Sequence, residues 1–249
     1  MFEGSIRVSN QDIPRTLLGS SPFIAAPQFG HRARLYQLDF YNSPENIVKI
    51  IQKSFEMGVK GIHVMPEPPV IEAIKLAQDI GINMDIVGTL MPETEDENIE
   101  LFSDLGAVSV MLHGTIADRA DWDFMEEKLL KIREMGAVSG LVTHSPFKTT
   151  PRLLESDILD LFDIYSIPVN KLGYLMDCDV YNEQVRAELD SMMRELDKTV
   201  MVRNVLAAGV LTPEEAFKYL KTVDFADIVA LGIASVDEAR ETFSLLGSL

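Results

Sequence analysis

Four histidines, His31, His63, His113 and His144, fall at separate points of the chain, each at or after a short apolar run. Imidazole titrates near neutral pH, so it can give or take a proton, or bind a metal through a ring nitrogen. His63 lies in GVKGIHVMPEP, between a glycine turn and a proline break, while His113 ends AVSVMLH and His144 ends AVSGLVTH. A lone histidine in such a run is more often a satisfied core residue than a reacting one. The elements that carry the rings therefore decide their meaning.

From residue 22 onward, β-branched apolar runs alternate with amphipathic segments of helical period, the pattern of parallel strands joined by crossover helices. Eight runs read as strands: PFIAAP (22–27), VKGIHVM (59–65), MDIVGTL (84–90), AVSVMLH (107–113), AVSGLVTH (137–144), DIYSIPVN (163–170), TVMVRN (199–204) and DIVALGI (227–233). Helix starts are marked by Ser43 before Pro44, Thr212 with Glu215, and Ser235 with Glu238, where a side-chain oxygen can accept an unpaired backbone N–H. Gly58, Gly81 and Gly136 fit helix ends, which favour a left-handed residue. The sequence predicts an α/β fold, a single (β/α)8 TIM barrel forming one domain over residues 1–249, with an open doubly wound sheet as the alternative. Residues 1–21 read as a short N-terminal hairpin capping the barrel floor.

In a barrel of this class the reactive groups gather where the strands end, because the loops there form the deep mouth. Side chains alternate between the helix layer and the interior. Ile62 and Val64 should face the helices, leaving Gly61, His63 and Met65 inside; Val108, Val110 and Leu112 likewise leave Ser109, Met111 and His113 inside. His144 is assigned the same way, and His31 lies too far into a loop to assign. Asn170, Lys171, Arg203 and Asn204 are other polar groups expected near the mouth. Glu67 and Glu93 read as solvated loop charges.

Apolar residues make up 47% of the 249, enough for a sizeable core. Lys and Arg total 22 against 39 Asp and Glu, a net charge of −17, so no nucleic-acid partner is expected. The single cysteine, Cys178, forms no internal disulfide and suits a reducing cytosol. There is neither an apolar signal core nor the run of roughly eighteen apolar residues that a membrane helix needs. A soluble cytoplasmic protein acting on a small molecule is expected. Oligomeric state is left open; Met192 and Met193, among 12 methionines, are candidates for an interface or the core.

The sequence resembles the aldo-keto reductase superfamily along most of its length. APQFG is similar to that family's first-strand turn, and SPENIVKIIQKSFEMGVKGIHV to its first helix and second strand. VSVMLHGTIAD resembles the fourth strand with its histidine, GLVTHSPFKTTPRLLE the fifth, and IPVNKLGY the sixth. VRNVLAAGVLTPEEAF with IVALGIASVDEARET is similar to the seventh and eighth units around the cofactor. The resemblance implies an NAD(P)-linked oxidoreductase whose chemistry uses an Asp, a Tyr, a Lys and a His. Carried over residue by residue, only the histidine survives, as His113. His63 stands at the aspartate position, about Pro68 at the tyrosine and about Thr89 at the lysine. Neither proline nor threonine replaces a phenol, so the usual hydride route is not expected. For cofactor binding the resemblance points to Asn170, Arg203, Asn204, Gly209, Gly232 and Ser235. Arg203 stands where the family stacks an aromatic ring on nicotinamide, and Ser166 where it has a glutamine. The last helix, opening at Ser235, offers N–H groups to a phosphate, although Asp237 and Glu238 already bring negative charge there.

Several functions compete. The first is an enzyme of small-molecule chemistry with His113, His63 and His144 as acid–base groups. The second is a metal-dependent hydrolase or lyase, with the same three histidines holding Zn²⁺ or Fe²⁺. The third is an NADP(H) enzyme with altered catalytic residues. The last is a barrel that binds a ligand without chemistry.

Overall fold

Short apolar runs bury both faces only when strands are covered by helices outside and by one another inside, and this chain satisfies both demands by closing a ring. A computed structural model describes residues 2–248. Its barrel strands are β3 (Thr16–Gly19), β4 (Gly61–Val64), β5 (Asp85–Leu90), β6 (Ser109–Leu112), β7 (Val138–Val142), β8 (Ile164–Pro168), β9 (Thr199–Arg203) and β10 (Ile228–Gly232). All neighbours are parallel, and β10 pairs with both β9 and β3 to close the barrel. The expected (β/α)8 TIM barrel is therefore present.

Ahead of it, β1 (Ser5–Val8) and β2 (Gln11–Pro14) form an antiparallel hairpin. Its Val8 and Ile13 pack into the same apolar cluster as Leu17, Val87, Met111, Val138 and Ile228 inside the barrel. The first barrel strand corrects the sequence reading. It is Thr16–Gly19, inside the segment assigned to the hairpin, and PFIAAP turns instead, with Phe23 N–H donating to the Ser20 carbonyl and Ala25 at a positive φ of 50°.

The helices are α1 (Arg32–Phe40), α2 (Pro44–Glu56), α3 (Pro68–Asp79), α4 (Glu95–Asp104), α5 (Gly114–Ala117), α6 (Trp122–Glu134), α7 (Pro146–Leu154), α8 (Glu183–Leu196), α9 (Pro213–Leu220) and α10 (Val236–Gly247). Ile62, Val64, Val110 and Leu112 pack in the outer core between strands and helices, as alternation requires, whereas Val108, expected with them, precedes β6 and packs against the interior cluster. Met192 and Met193 are buried in that same core rather than on an exposed face. Each fully buried apolar side chain of this layer contributes about 1.5–3 kcal/mol from leaving water.

The caps are partly as expected. Thr212 and Glu215 form a reciprocal capping box at α9. Ser235 Oγ accepts from Glu238 N–H, but the Glu238 carboxylate reaches back to Ala234 N–H, one residue earlier than a capping box. Ser43 makes no side-chain cap bond. Gly58, Gly81 and Gly136 each adopt positive φ just past a helix. No helix among the described residues is long and apolar enough to cross a membrane.

Candidate active site at the barrel mouth

The strand ends open into a cavity of about 730 Å³, with His63, Thr89, His113, His144 and Arg203 among its lining residues. It continues between the segment around Pro22, Phe29 and Tyr36, the turn around Asn204 and Gly209, and the start of α10 at Gly232 and Ala234. Edge-to-face packing of Phe29 on Tyr36, centroids 5.1 Å apart, joins α1 to the turn before it.

His63 reaches the interior because it alternates with Ile62 and Val64 along β4. Only 7% of it is exposed, and its Nε2 lies 2.8 Å from Thr89 Oγ1 on β5. Burial, with the charges of Arg203 and His113, pushes its pKa down to about 3. Its ring is neutral at physiological pH.

His113 lies one residue beyond β6 and caps α5. Its Nδ1 accepts from Thr115 N–H at 3.2 Å and lies 2.9 Å from Thr115 Oγ1. An accepting Nδ1 assigns the proton of the neutral ring to Nε2. Burial, then the charges of His144 and Arg203, lowers its pKa to about 4 against the opposing pull of Asp118.

His144 follows β7 and faces His113, with ring centroids 5.2 Å apart and planes at 60°. The approach depends on Gly114, where a Cβ would fall 2.2 Å from His144 Nδ1. Asp118 stands behind the ring: its Oδ2 accepts from the His144 backbone N–H at 3.0 Å and lies 3.6 Å from Nδ1. Its Oδ1 accepts from the hydroxyls of Thr143 and Thr149. Burial raises the Asp118 pKa, but hydrogen bonds from His144, Thr143 and Thr149 outweigh it, leaving the carboxyl below its usual range.

Arg203 ends β9. Its Nη2 donates to the Thr143 carbonyl, 2.6 Å away, while its Nε is buried without a partner. Burial lowers its pKa to about 10, opposed by Asp118 and Tyr165, so it stays cationic at neutral pH.

Neither a protein-family profile nor a curated protein matches this sequence. Solved structures do match its fold. A Pseudomonas aeruginosa protein assigned to the aldo-keto reductases superposes with TM-score 0.66 at 13% identity, over 96% of this chain and 92% of that one. A point mutant of Gox0644 in complex with NADPH gives 0.64 at 10% identity, over 99% and 89%. A chain of the tryptophan synthase complex from Pyrococcus furiosus gives 0.56 at 13%, over 99% and 100%. The chain shares the TIM-barrel fold of these proteins. At these identities the likeness is one of fold.

Within this barrel the expected residues divide. His63, His113, His144, Arg203, Asn204, Gly209 and Gly232 line the cavity. Asn170 does not: its Oδ1 accepts from Leu172 and Tyr174 N–H and its Nδ2 donates to the Tyr174 carbonyl, fixing the loop after β8. Ser235 serves as the helix cap, and His31 and Lys171 are exposed outside the lining. Glu67 lines the cavity, whereas Glu93 does not. Among the described residues no group of three or more His, Cys, Asp or Glu is arranged to hold a metal ion, so His63, His113 and His144 share a cavity without forming a ligand triad. Asp118 was not singled out by sequence reasoning, and Thr89 entered it only as the residue near the resembled family's lysine position; nothing in HGTIAD sets this aspartate apart among the 39 acidic residues.

NADP(H) fits these residues poorly. Ala234 and Glu238 N–H groups at the start of α10 already donate to the chain's own Glu238 carboxylate and Ser235 hydroxyl, and Glu238 and Glu241 line the cavity there. A phosphate would meet the two carboxylates there, with Arg32 beside Tyr36 the single opposing cation. On the floor, Thr89 is bonded to His63, and neither side chain supplies a phenol's proton.

Proposed function

We propose that this barrel is an acid–base enzyme for a small carbonyl compound, moving a proton at the carbon next to the carbonyl. The reading rests on the imidazole of His144, with the Asp118 carboxylate behind it, facing a neutral imidazole in one cavity. The fold's neighbours include enzymes, which agrees with chemistry at the strand ends.

The roles follow from charge. With a pKa of about 4 or 3, His113 and His63 hold almost no second proton at neutral pH. They are poor general acids but good fixed hydrogen-bond donors to a developing oxyanion, a use of neutral imidazole known in other barrels. His144 removes the proton from the carbon α to the carbonyl. The C–H electron pair becomes the enolate double bond, and the carbonyl pair moves onto oxygen. His113 Nε2–H donates to that oxygen, and Asp118 stabilises the charge His144 has gained. Return of the proton to carbon or oxygen completes the cycle without a redox partner.

Solvent deuterium exchange at the α-carbon, followed by proton NMR over a panel of hydroxyketones and 2-oxo acids, tests the proposal. Exchange above buffer is expected for wild type, with a loss of about 100-fold in His144→Gln at unchanged melting temperature. Exchange by no panel member, or equal exchange in the variant, overturns the reading. Binding without exchange overturns it in favour of a barrel that only holds its ligand.

A further inference from the structure

Besides the acid–base groups the cavity is lined by two cations, Arg32 and Arg203; Arg32 is exposed, and only Arg203 lies beside the histidines. Arg203 makes no ion pair among the described residues, although its guanidinium carries full charge at neutral pH. One edge is fixed by the bond from Nη2 to the Thr143 carbonyl, and Nε has no partner. The nearest carboxylate to act on it, Asp118, already accepts from Thr143, Thr149 and the His144 amide. The His63 and His113 rings that feel its charge are neutral. A cation with one neutral hydrogen bond, an unpartnered Nε and only a shared carboxylate nearby is left with donors and charge that a ligand's counter-charge can take up.

We propose that Arg203 is the anchor for a carboxylate of the substrate, and that the substrate class is 2-oxo acids with an uncharged tail. This rests on the acid–base reading for where the carbonyl lies, because a carbonyl adjacent to an anchored carboxylate reaches the gap between His113 and His144. A guanidinium pairs with a planar carboxylate through two parallel hydrogen bonds, so it fixes orientation as well as position. The far part of the cavity completes the class. Pro22, Phe29, Leu206 and Ile233 offer it apolar surface, and Glu238 and Glu241 outnumber the single cation Arg32 there, which disfavours a second anion. A monoanion with an apolar tail suits both ends; a phosphorylated ligand suits only one.

Titration calorimetry with 4-methyl-2-oxopentanoate and with 4-methylpentan-2-one, in which a methyl replaces the carboxylate, isolates the anchor. Wild type is expected to bind the oxo acid about tenfold or more tightly than the ketone. Arg203→Met should erase that preference and Arg203→Lys should keep part of it. If Arg203→Met does not fold, the wild-type ratio and Arg203→Lys still decide. Equal binding of acid and ketone by wild type, or an undiminished preference in Arg203→Lys and Arg203→Met, overturns the anchor. Inorganic phosphate competing more strongly than the oxo acid overturns the monoanion assignment. Deuterium exchange into the ketone separates the two ideas: if it persists while the acid gains nothing, the anchor fails alone, and if the acid binds preferentially without exchange, the acid–base reading fails alone.

Discussion

His63 is held neutral by its surroundings, and that neutrality should be readable in the protein's stability. Above pH 6.5 neither folded nor unfolded chain protonates it; below, the unfolded chain takes up a proton that the folded one refuses until about pH 3. Stability should therefore be complete above 6.5 and fall as pH drops through that window, by about 1.4 kcal/mol per pH unit for this group. Urea unfolding of His63→Gln should lose about 2 kcal/mol less than wild type between pH 7.5 and pH 5. Matching pH dependences would mean that the ring is not buried neutral. Asp118 acts one step removed, as a positioning residue for His144. Asp118→Asn should slow exchange by about tenfold or more and displace its pH profile, with little further loss when combined with His144→Gln, because linked residues are not additive. An additive double variant would separate the two roles. The three cavity histidines were legible from strand alternation alone. Asp118 was not, nor was the contact of Thr89 with His63, since both depend on partners, His144 and His63, that lie 26 residues away in the chain.

Elements decide how closely those side chains meet. The one-turn helix α5 turns the chain back so that Asp118 lies beside the end of β7, and Gly114 at its start leaves room for the His144 ring. Gly114→Ala should push that ring away and abolish most exchange, while calorimetric melting shifts far less than for a core truncation; retained activity would show that the ring can move aside. The capping box of α9 borders the same cavity through Thr212, whose side chain bonds only to Glu215 among the described residues. Thr212→Ala should cost about 1 kcal/mol in denaturant unfolding and leave exchange untouched. The sequence also shows why one strand was misplaced. PFIAAP has strand-like composition, but Pro22 and Pro27 remove the N–H groups a central ladder needs. The true β3 is only four residues long, held between Gly61 of β4 and Ala230 of β10 by long-range pairing. Repeated strand–helix periodicity survives such local errors, so the closed barrel was still legible.

Over the whole molecule, the charge of −17 and the proposed anionic substrate oppose one another. Their balance depends on distance. An approaching carboxylate first meets the summed field of the surface and of Glu67, Glu238 and Glu241 at the cavity, which Arg32 offsets in part. That field is screened over about 10 Å at 0.1 M salt. The contact with Arg203 forms only inside, where counter-ions screen poorly. Raising ionic strength from about 10 mM to about 150 mM should therefore quicken association of an oxo acid several-fold while scarcely changing its dissociation. NMR line-shape analysis of a bound oxo acid gives both rates. The uncharged ketone should show neither change, which removes general salt effects from the comparison. An association rate that falls with salt would mean that Arg203 governs the approach as well as the grip, and that the mouth is locally positive in spite of the acidic surface around it.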